Sequence, residues 1–522
     1  MPSDKELYRQ LRELTCLQLE EEIRRFDRAT PRERLTRVSL IRAVGVVFAA
    51  EGTPEQRDSV RGWLRRLLKD PEEKIRRYAM TALPKLGAGR GEEGELLTLL
   101  QSTSVQRERK FLGRALNKIG GEATLKLVTQ SPGLLPQTDQ KVQANLARQL
   151  HPSSIRLDAT LANVPDLRIQ LRCRRGLESI VRDEAKEFMA AHGTFRLAGY
   201  QESVVTLAPT APFSLADLYS LRCFATVGFV LGTLRDTPAT EFVEAVAAAI
   251  TAPRSRELFH AFTEGSLRYR MDFIDRGHQR GAVARIVERA YALCPEILND
   301  ASSAPWSIDI HPIPRGVSVE LRPKLVPDPR LGYRQDDIPA ASHPPLAAAM
   351  ARVAGPHPGE VVWDPFCGSG LELIERALLG GVKTLVGTDV SGDAIAIARA
   401  NLAAAALPGI DARFFVGDFR EHAGPPGLGP QSVTLVITNP PMGRRVRIAN
   451  LRGLIADLFA VAATVLRPGG RLVFANPLRV EPSDPTLQLR GRQTVDLGGF
   501  DCRLELYEKV APGAGGDELR RG

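Results

Sequence analysis

The chain has 522 residues, of which 43% are hydrophobic and 25% are charged, a balance typical of globular proteins and long enough for two to four domains. No apolar run could cross a bilayer, the first residues lack the apolar core of a signal peptide, and the six cysteines include no CxxC pair. These features predict a cytoplasmic protein and argue against a membrane span, a disulfide framework and a metal site. The net charge of +9 is compatible with a polyanionic partner such as RNA, although generous use of arginine alone would produce it too.

The first 150 residues are predicted to form successive helices. Two stretches, 67–87 and 99–120, share a polar break, a basic stretch and an apolar helix that ends in glycine, and corresponding positions such as Leu83 and Leu116 lie 33 residues apart. A weaker copy covers 35–45. Stacked helical hairpins repeat in this way because each needs a neighbour to cover its apolar face. The segment resembles HEAT-type repeats, and a plain helical bundle is the alternative.

Residues 151–335 alternate short strands with helices, which predicts an α+β region. The predicted strands cover 168–174, 206–207 and 266–274, the predicted helices cover 175–193, 214–221 and 281–293, and 306–310 pairs with 317–321 in a closing hairpin. Arginines and planar side chains are interspersed in this region, a combination that suits phosphates and unstacked bases. Arg270 and Arg280 are therefore candidate RNA-binding residues, although arginine on a helix face is often only solvated.

Residues 336–512 are predicted to form a Rossmann-like α/β domain, followed by a flexible tail at 513–522. A largely apolar run at 360–366 leads into glycines and then a helix at 371–379, the pattern of a nucleotide-type cofactor cleft. Glycine lets the backbone approach a ligand, and the helix N-terminus favours a carboxylate. The candidate cofactor-binding residues of this loop are Asp364, Pro365, Phe366, Cys367, Gly368, Ser369 and Gly370.

Acidic residues follow the next two predicted strands. The strand at 383–390 places Asp389 and Val390 nineteen residues or more beyond Gly370, where a carboxylate can accept ribose hydroxyl protons. The strand after it ends at Asp418 and Phe419, where the carboxylate is placed to bind the adenine amine. A single aspartate at a strand end is often just a helix cap, but three at consecutive strand ends favour a cofactor site.

The predicted fourth strand, 433–438, ends in Asn439, Pro440, Pro441 and Met442. An exocyclic amine on a base is a poor nucleophile because its lone pair is delocalised into the ring. The side-chain oxygen of Asn439 and the carbonyl of Pro440 could accept its two N–H protons and localise that lone pair toward a donor methyl, and the two prolines stiffen the loop. We therefore predict that these four residues are catalytic and that Asn439 also borders the cofactor. The alternative is a rigid turn after a strand.

At these motifs the chain resembles the THUMP-containing RNA methyltransferases, which make N2-methylguanosine in tRNA or large-subunit rRNA. The hallmarks are Gly176-Leu177-Glu178, Leu331-Gly332-Tyr333-Arg334, DPFCGSG and TNPPMG. The resemblance implies a ferredoxin-like and THUMP region at 151–335 that grips RNA. It also implies S-adenosylmethionine as cofactor and tRNA as the first substrate candidate, with rRNA second.

Two departures from that family concern the substrate. Leu371 stands where the family usually has threonine, and Met442 stands where it usually has an aromatic ring that stacks on the target base. A thioether can pack on a base face, but the stacking is weaker. Further candidate RNA contacts are Arg334 in the connector and Arg444, Arg445 and Arg447 after the catalytic loop.

Other functions remain open from the sequence. NPP-type motifs also serve adenine-N6 and protein glutamine-N5 methyltransferases. A non-enzymatic alternative is a helical-repeat adaptor with an inactive methyltransferase domain, which the retained glycines, aspartates and Asn439 disfavour. The N-terminal repeats could bind a protein partner or extend the RNA-binding surface.

Overall fold

The computed structural model describes residues 4–87, 90–131, 134–135, 138, 142, 146, 152–162, 166–275, 277, 279–338, 341–443 and 448–511. The chain divides into two compact units, Met1–Pro152 and Ser153–Gly522. Within the described ranges, no helix is both long and apolar enough to span a membrane. The predicted tail at 513–522 and three predicted RNA contacts, Arg444, Arg445 and Arg447, lie outside the described residues.

The first unit is helical, as predicted. Its helices are α1 (Asp4–Arg12), α2 (Cys16–Arg28), α3 (Pro31–Thr36), α4 (Ser39–Glu51), α5 (Pro54–Leu67), α6 (Glu73–Ala82), α7 (Arg90–Ser102), α8 (Gln106–Ile119) and α9 (Glu122–Gln130). Capping boxes at Thr15, Thr30 and Thr53 satisfy the first free backbone N–H groups of α2, α3 and α5. These caps stabilise the first turns of the three helices and define where each helix begins.

The periodic positions of the first unit form its core. Leu83 and Leu116, the equivalent residues of the two repeats, are both completely buried. Helices α1, α4, α6 and α8 pack side by side, α5 packs against α4 and α6, and α7 packs against α8 and α9. This packing is what stacked helical hairpins would produce, and the HEAT-type assignment itself stays a prediction.

The second unit begins with a mixed eight-stranded sheet, ordered β10-β9-β11-β12-β7-β3-β5-β4. Its strands and the short strands that flank it are β1 (Ser154–Ile155), β2 (Thr160–Leu161), β3 (Ile169–Arg172), β4 (Phe195–Gln201), β5 (Val204–Pro209), β6 (Phe213–Ser214), β7 (Thr226–Arg235), β8 (Thr263–Glu264), β9 (Arg268–Phe273), β10 (Leu298–Asn299), β11 (Trp306–Ile313) and β12 (Gly316–Pro323). Its helices are α10 (Glu178–His192), α11 (Leu215–Leu218), α12 (Phe242–Thr251), α13 (Pro253–Phe262) and α14 (Arg280–Leu293). The predicted hairpin is present as β11 and β12, whereas the sequence analysis missed β7, which lies between β12 and β3.

The predicted Rossmann-like domain is confirmed. Its seven-stranded sheet has the order β15-β14-β13-β16-β17-β19-β18, with β13 to β17 parallel and β19 antiparallel to both neighbours. Its elements are α15 (Pro344–Ala354), β13 (Glu360–Asp364), α16 (Leu371–Leu378), β14 (Val382–Asp389), α17 (Gly392–Ala404), β15 (Asp411–Val416), β16 (Val433–Thr438), α18 (Leu451–Val465), β17 (Leu466–Asn476), β18 (Leu487–Asp496) and β19 (Asp501–Lys509). The strand order reverses at β13, where such sheets bind ligands at their carboxyl ends.

The two sheets of the second unit share one hydrophobic core, which includes Ile169 of β3 and Leu385 of β14. Gly176 lies at the junction with a φ of +94°, and a Cβ on it would be 1.8 Å from the backbone oxygen of Thr494. Beside this contact, Arg175 donates a 2.5 Å hydrogen bond to Asp501. Gly176-Leu177-Glu178 is therefore a docking segment between the sheets.

A Gly176→Ala variant should lose more than about 2 kcal/mol of unfolding free energy, because the methyl group combines left-handed backbone strain with a backbone clash. Gly193→Ala is the matched control, since Gly193 has a φ of +69° and open space around its Cβ position. It should lose roughly 1–2 kcal/mol from backbone strain alone. Urea unfolding of both variants measures the difference, and equal losses would contradict a tight contact at the junction.

Candidate active site

The predicted cofactor loop and the end of β14 are held together by hydrogen bonds. The backbone N–H of Gly368 donates to the Asp389 carboxylate at 3.0 Å, and that of Ser391 donates to its other oxygen at 2.9 Å. The backbone oxygen of Asp389 accepts from Gly417 at 3.0 Å, which brings in the loop after β15. Loops from three neighbouring strands therefore meet at one edge of the sheet, where the sequence analysis placed them.

The glycines of the loop have the backbone geometry that the motif requires. Gly368 and Gly370 have φ values of +50° and +83°, which side chains rarely adopt. Gly370 precedes α16, and a Cβ on it would meet Ala398 at 3.3 Å. The loop is thus bent sharply over the first turn of α16, and Cys367 beneath it is almost completely buried.

Asp418 has the local role that a strand-end cap would have. Its carboxylate accepts from the backbone of Arg420 at 2.9 Å and pairs with the Arg420 side chain at 2.8 Å. Its side chain remains 39% exposed, so a ligand can still reach it. Phe419 is buried with its ring centroid 4.8 Å from that of Phe366, which joins this segment to the cofactor loop. The adenine-binding role of Asp418 stays a prediction.

Asn439 is held by a chain of hydrogen bonds. Its Nδ2 donates to Ser342 Oγ at 2.8 Å, and Ser342 in turn donates to Glu372. Because the serine hydrogen is used on Glu372, its oxygen is free to accept from the Asn439 amide. This arrangement fixes which way the amide faces. The remaining atom, Asn439 Oδ1, is buried and has no hydrogen-bond partner among the described residues.

Two buried carboxyl groups lie behind this chain. Asp364 is fully buried; one oxygen accepts from Phe366 N at 3.0 Å and from Thr438 Oγ1 at 2.6 Å, while the other has no partner among the described residues. Burial raises the pKa of Asp364 well above its ordinary value, and the neighbouring Glu372 carboxyl raises it further. Burial likewise raises the pKa of Glu372, to about 7. Both acids therefore keep their protons to a higher pH than exposed carboxyl groups do.

Ser342 and Glu372 are site residues that the sequence pattern did not predict. The available signal was the composition of α16, which places Glu372, Glu375 and Arg376 inside an otherwise apolar helix. All three are buried, and buried charges need partners. Glu375 accepts from Tyr333 Oη at 2.5 Å and from Arg222 at 2.7 Å.

The three predicted RNA-binding arginines that the structure describes do not form one cluster of free charges. Arg270 pairs with Asp272 at 2.6 Å, and Arg334 pairs with Asp337, which also accepts from Ser369 Oγ at 3.3 Å. Arg280 is exposed at the start of α14. Arg270 and Arg334 would therefore meet an RNA phosphate with their charge already partly neutralised.

The comparison with known proteins identifies the domain around this site. Residues 331–486 match a family model described as an RMKL-like methyltransferase domain. The tRNA (guanine(6)-N2)-methyltransferase of Thermus thermophilus is 32% identical over 200 residues, which cover 37% of this chain and 56% of that protein. The tRNA (guanine(10)-N2)-dimethyltransferase of Methanocaldococcus jannaschii is 30% identical over 180 residues, which cover 33% of this chain and 47% of that protein.

These matches confirm the resemblance to guanine-N2 RNA methyltransferases, and the chain spans about half the length of the curated relatives it matches. The crystal structure of TrmN from Thermus thermophilus has the same fold, with a TM-score of 0.51 and 21% identity over 66% of this chain and 100% of that chain. Residues 331–486 therefore resemble a methyltransferase domain in sequence, and the second unit shares the fold of that structure.

The raised pKa of Glu372 predicts a pH-dependent stability. An acid whose folded pKa lies above its unfolded value of about 4.3 destabilises the fold as pH rises from there to about 7, because the folded state keeps the proton longer. A Glu372→Gln variant should lack this loss and should gain roughly 2 kcal/mol over the wild type between pH 5 and pH 8. Urea unfolding at several pH values measures it, and parallel curves for the two proteins would contradict the prediction.

Proposed function

We propose that this protein is an S-adenosylmethionine-dependent RNA methyltransferase that forms N2-methylguanosine, with tRNA as the first substrate candidate. The observation that carries the proposal is the buried, unpaired Oδ1 of Asn439 beside a held Nδ2. A buried acceptor without a partner is costly and uncommon in a native fold. A hydrogen bond from a substrate N–H would give this oxygen its partner and would explain why it is unpaired here. The methyltransferase-domain match and the named guanine-N2 relatives support the same reaction.

The residues around the cofactor loop fit S-adenosylmethionine. Gly368 and Gly370 have no side chains to keep a ligand away from the backbone, and Asp389 supplies a carboxylate for ribose hydroxyls. Val390 follows Asp389 and is 75% exposed, a position where an apolar side chain gains if a flat ring covers it. When bound, S-adenosylmethionine supplies an electrophilic methyl group on a sulfonium sulfur.

Asn439 and Pro440 prepare the nucleophile. In guanine the N2 lone pair is delocalised into the ring, so the amine reacts only when that lone pair is localised. Asn439 Oδ1 accepts one N–H hydrogen bond and the Pro440 carbonyl accepts the other, which turns the lone pair toward the methyl group. The N–C bond would form as the S–C bond breaks, which leaves a neutral thioether, and the surplus proton of the amine would then pass to solvent water. No strong base is therefore required beforehand. Acceptors that are already in place avoid reorganisation during the reaction.

Ser342 and Glu372 are positioning residues in this proposal. If the Asn439 amide were flipped, its NH2 group would face the substrate amine. Two hydrogen-bond donors would then face each other, and no hydrogen bond could form. The hydrogen bond to Ser342 Oγ opposes that flip. When Glu372 is ionised its carboxylate can only accept, and this fixes the serine proton on the Glu372 side. Glu372 is nearly fully buried, so the Glu372 end of this chain of hydrogen bonds is shielded from water.

The cysteine in the loop has no nucleophilic role in the proposal. Burial raises the pKa of Cys367 well above its ordinary value, and the Asp364 carboxyl adds to this effect. The thiol therefore stays protonated, and a protonated thiol is a weak nucleophile. This favours direct transfer to the substrate amine over a route through an enzyme-linked base.

The reaction product is identified by nucleoside mass spectrometry of RNA from cells with and without the gene, with tRNA and rRNA separated. The proposal expects N2-methylguanosine to fall in the tRNA fraction. A fall confined to N6-methyladenosine, or to methylglutamine in protein, would establish the corresponding alternative instead. Calorimetry with S-adenosylmethionine tests the adaptor alternative, which expects no binding.

An Asn439→Ala variant should lower the rate of methyl transfer by at least about 10²-fold, because removing one preorganised hydrogen-bond partner costs about that much or more. Binding of S-adenosylmethionine, measured by calorimetry, should stay near the wild-type value. Transfer at the wild-type rate would exclude Asn439 from the reaction.

A Ser342→Ala variant should lower kcat by roughly 10–100-fold by freeing the amide to rotate, an effect of the size expected for misplacing a reacting group. The KM for RNA should change little. Ser342→Thr keeps the hydroxyl and should recover most of the rate. A loss that threonine does not restore, or one seen only in KM, would argue for a packing role.

A further inference from the structure

One side of the first unit carries exposed cations on successive elements. Arg12 ends α1, Arg42 lies in α4, Lys85 lies in the short 3-10 turn Leu83–Leu86 after α6, and Lys118 lies at the end of α8. All four are exposed, and their helices pack side by side in this order. We call these four residues the basic stripe.

The charge of the basic stripe is balanced differently from that of several cations on α2 and α5. Those cations pair with carboxylates: Arg24 with Glu21 at 2.9 Å, Arg65 with Glu95 at 2.7 Å and Arg66 with Asp27 at 3.7 Å. Across the part of the chain that the structure describes, no carboxylate lies within salt-bridge distance of a stripe residue. The charge on the stripe side is therefore available to a partner.

The four cations also lie near enough to repel one another. Partial burial lowers the pKa of Lys85, and the charges of Arg42, Lys118 and Arg12 lower it further. The Arg42 guanidinium lies 4.4 Å from the ring centroid of Tyr8, which holds it against the helices. Like charges kept together without an anion oppose folding, and a bound polyanion would remove that repulsion.

The length of the basic stripe selects the kind of anion. Packed helices lie about 8–10 Å apart, and each of the other three cations is close enough to Lys85 to lower its pKa, so the four charges extend over roughly 20 Å. A single phosphate or nucleotide cannot reach all four, whereas a nucleic-acid backbone carries a charge every few ångströms. A regular stripe of cations from repeating units suits such a backbone better than an acidic protein patch of irregular shape.

We propose that the basic stripe binds the phosphate backbone of the RNA substrate. The choice of RNA as the polyanion rests on the proposed function, since the second unit is proposed to methylate RNA. Binding depends on charge and has no base readout, because the four contacts go to phosphates. The N-terminal unit then raises affinity for RNA without taking part in methyl transfer.

The test uses the full-length protein and fluorescently labelled, unmodified tRNA. A triple variant, Arg42→Gln/Lys85→Gln/Lys118→Gln, removes three stripe charges. The slope of log affinity against log salt is negative, and each lost phosphate contact makes it less steep by about 0.7–0.9. The steepness of the slope should therefore decrease by about 2. The KM for tRNA should rise, while kcat at saturating tRNA and binding of S-adenosylmethionine should stay unchanged.

The matched control is Arg24→Gln/Arg65→Gln/Arg66→Gln, which removes the same net charge from the paired cations. It should keep the wild-type slope. Thermal unfolding is measured in parallel, since Lys118 in a last helical turn also stabilises the helix dipole. Equal slopes for the stripe variant and the wild type, or equal losses in both triple variants, would overturn the inference.

The two proposals fail separately in this design. If wild-type protein binds tRNA with a stripe-dependent slope but transfers no methyl group to guanine, the proposed function is wrong and the inference stands. If it methylates guanine and the slope does not depend on the stripe, the inference is wrong and the function stands.

Discussion

The hydrogen bond between Asn439 and Ser342 determines what the candidate site can do. It joins the end of β16 to the segment before α15, and through Glu372 it reaches α16. With the amide NH2 held at 2.8 Å, the amide oxygen is left without a hydrogen-bond partner among the described residues. A site built from a rigid acceptor needs neither a tuned base nor a metal to activate an amine, only an electrophile placed in line.

Helix α16 shows how such a site is kept in position. Glu372 binds Ser342, Glu375 binds Arg222 and Tyr333, and Arg376 binds Glu360. Each partner comes from a different part of the second unit. Removing one member of a buried ion pair costs about 3–5 kcal/mol, because the other charge is left unpaired. Contacts of these three residues therefore hold the helix against rotation about its axis and against translation along it. The cofactor loop at the start of the helix is held in place as well.

The sequence predicted the parts of the site that depend on local pattern. The strand at 433–438 is observed with the same bounds, because all six of its residues are buried and apolar or small. Gly368 and Gly370 have positive φ values, which favour glycine over other residues, and their role in cofactor binding stays a prediction. Ser342 could not be found in this way, because its two partners are far away in sequence and serine is common in loops. The pairing of Arg270 with Asp272 was also missed, as both lie on β9 where charge alone suggested a free surface.

The shared core of the second unit has a consequence for dividing the protein. A cut near residue 335 would fall where the sequence changes from one predicted region to the next, yet Arg222 and Glu375 pair across that point. A fragment that starts there would keep a buried carboxylate without its cation and would expose apolar surface that the first sheet now covers. The smallest piece expected to behave as an intact folding unit therefore starts near Ser153, and truncation studies should begin from that end.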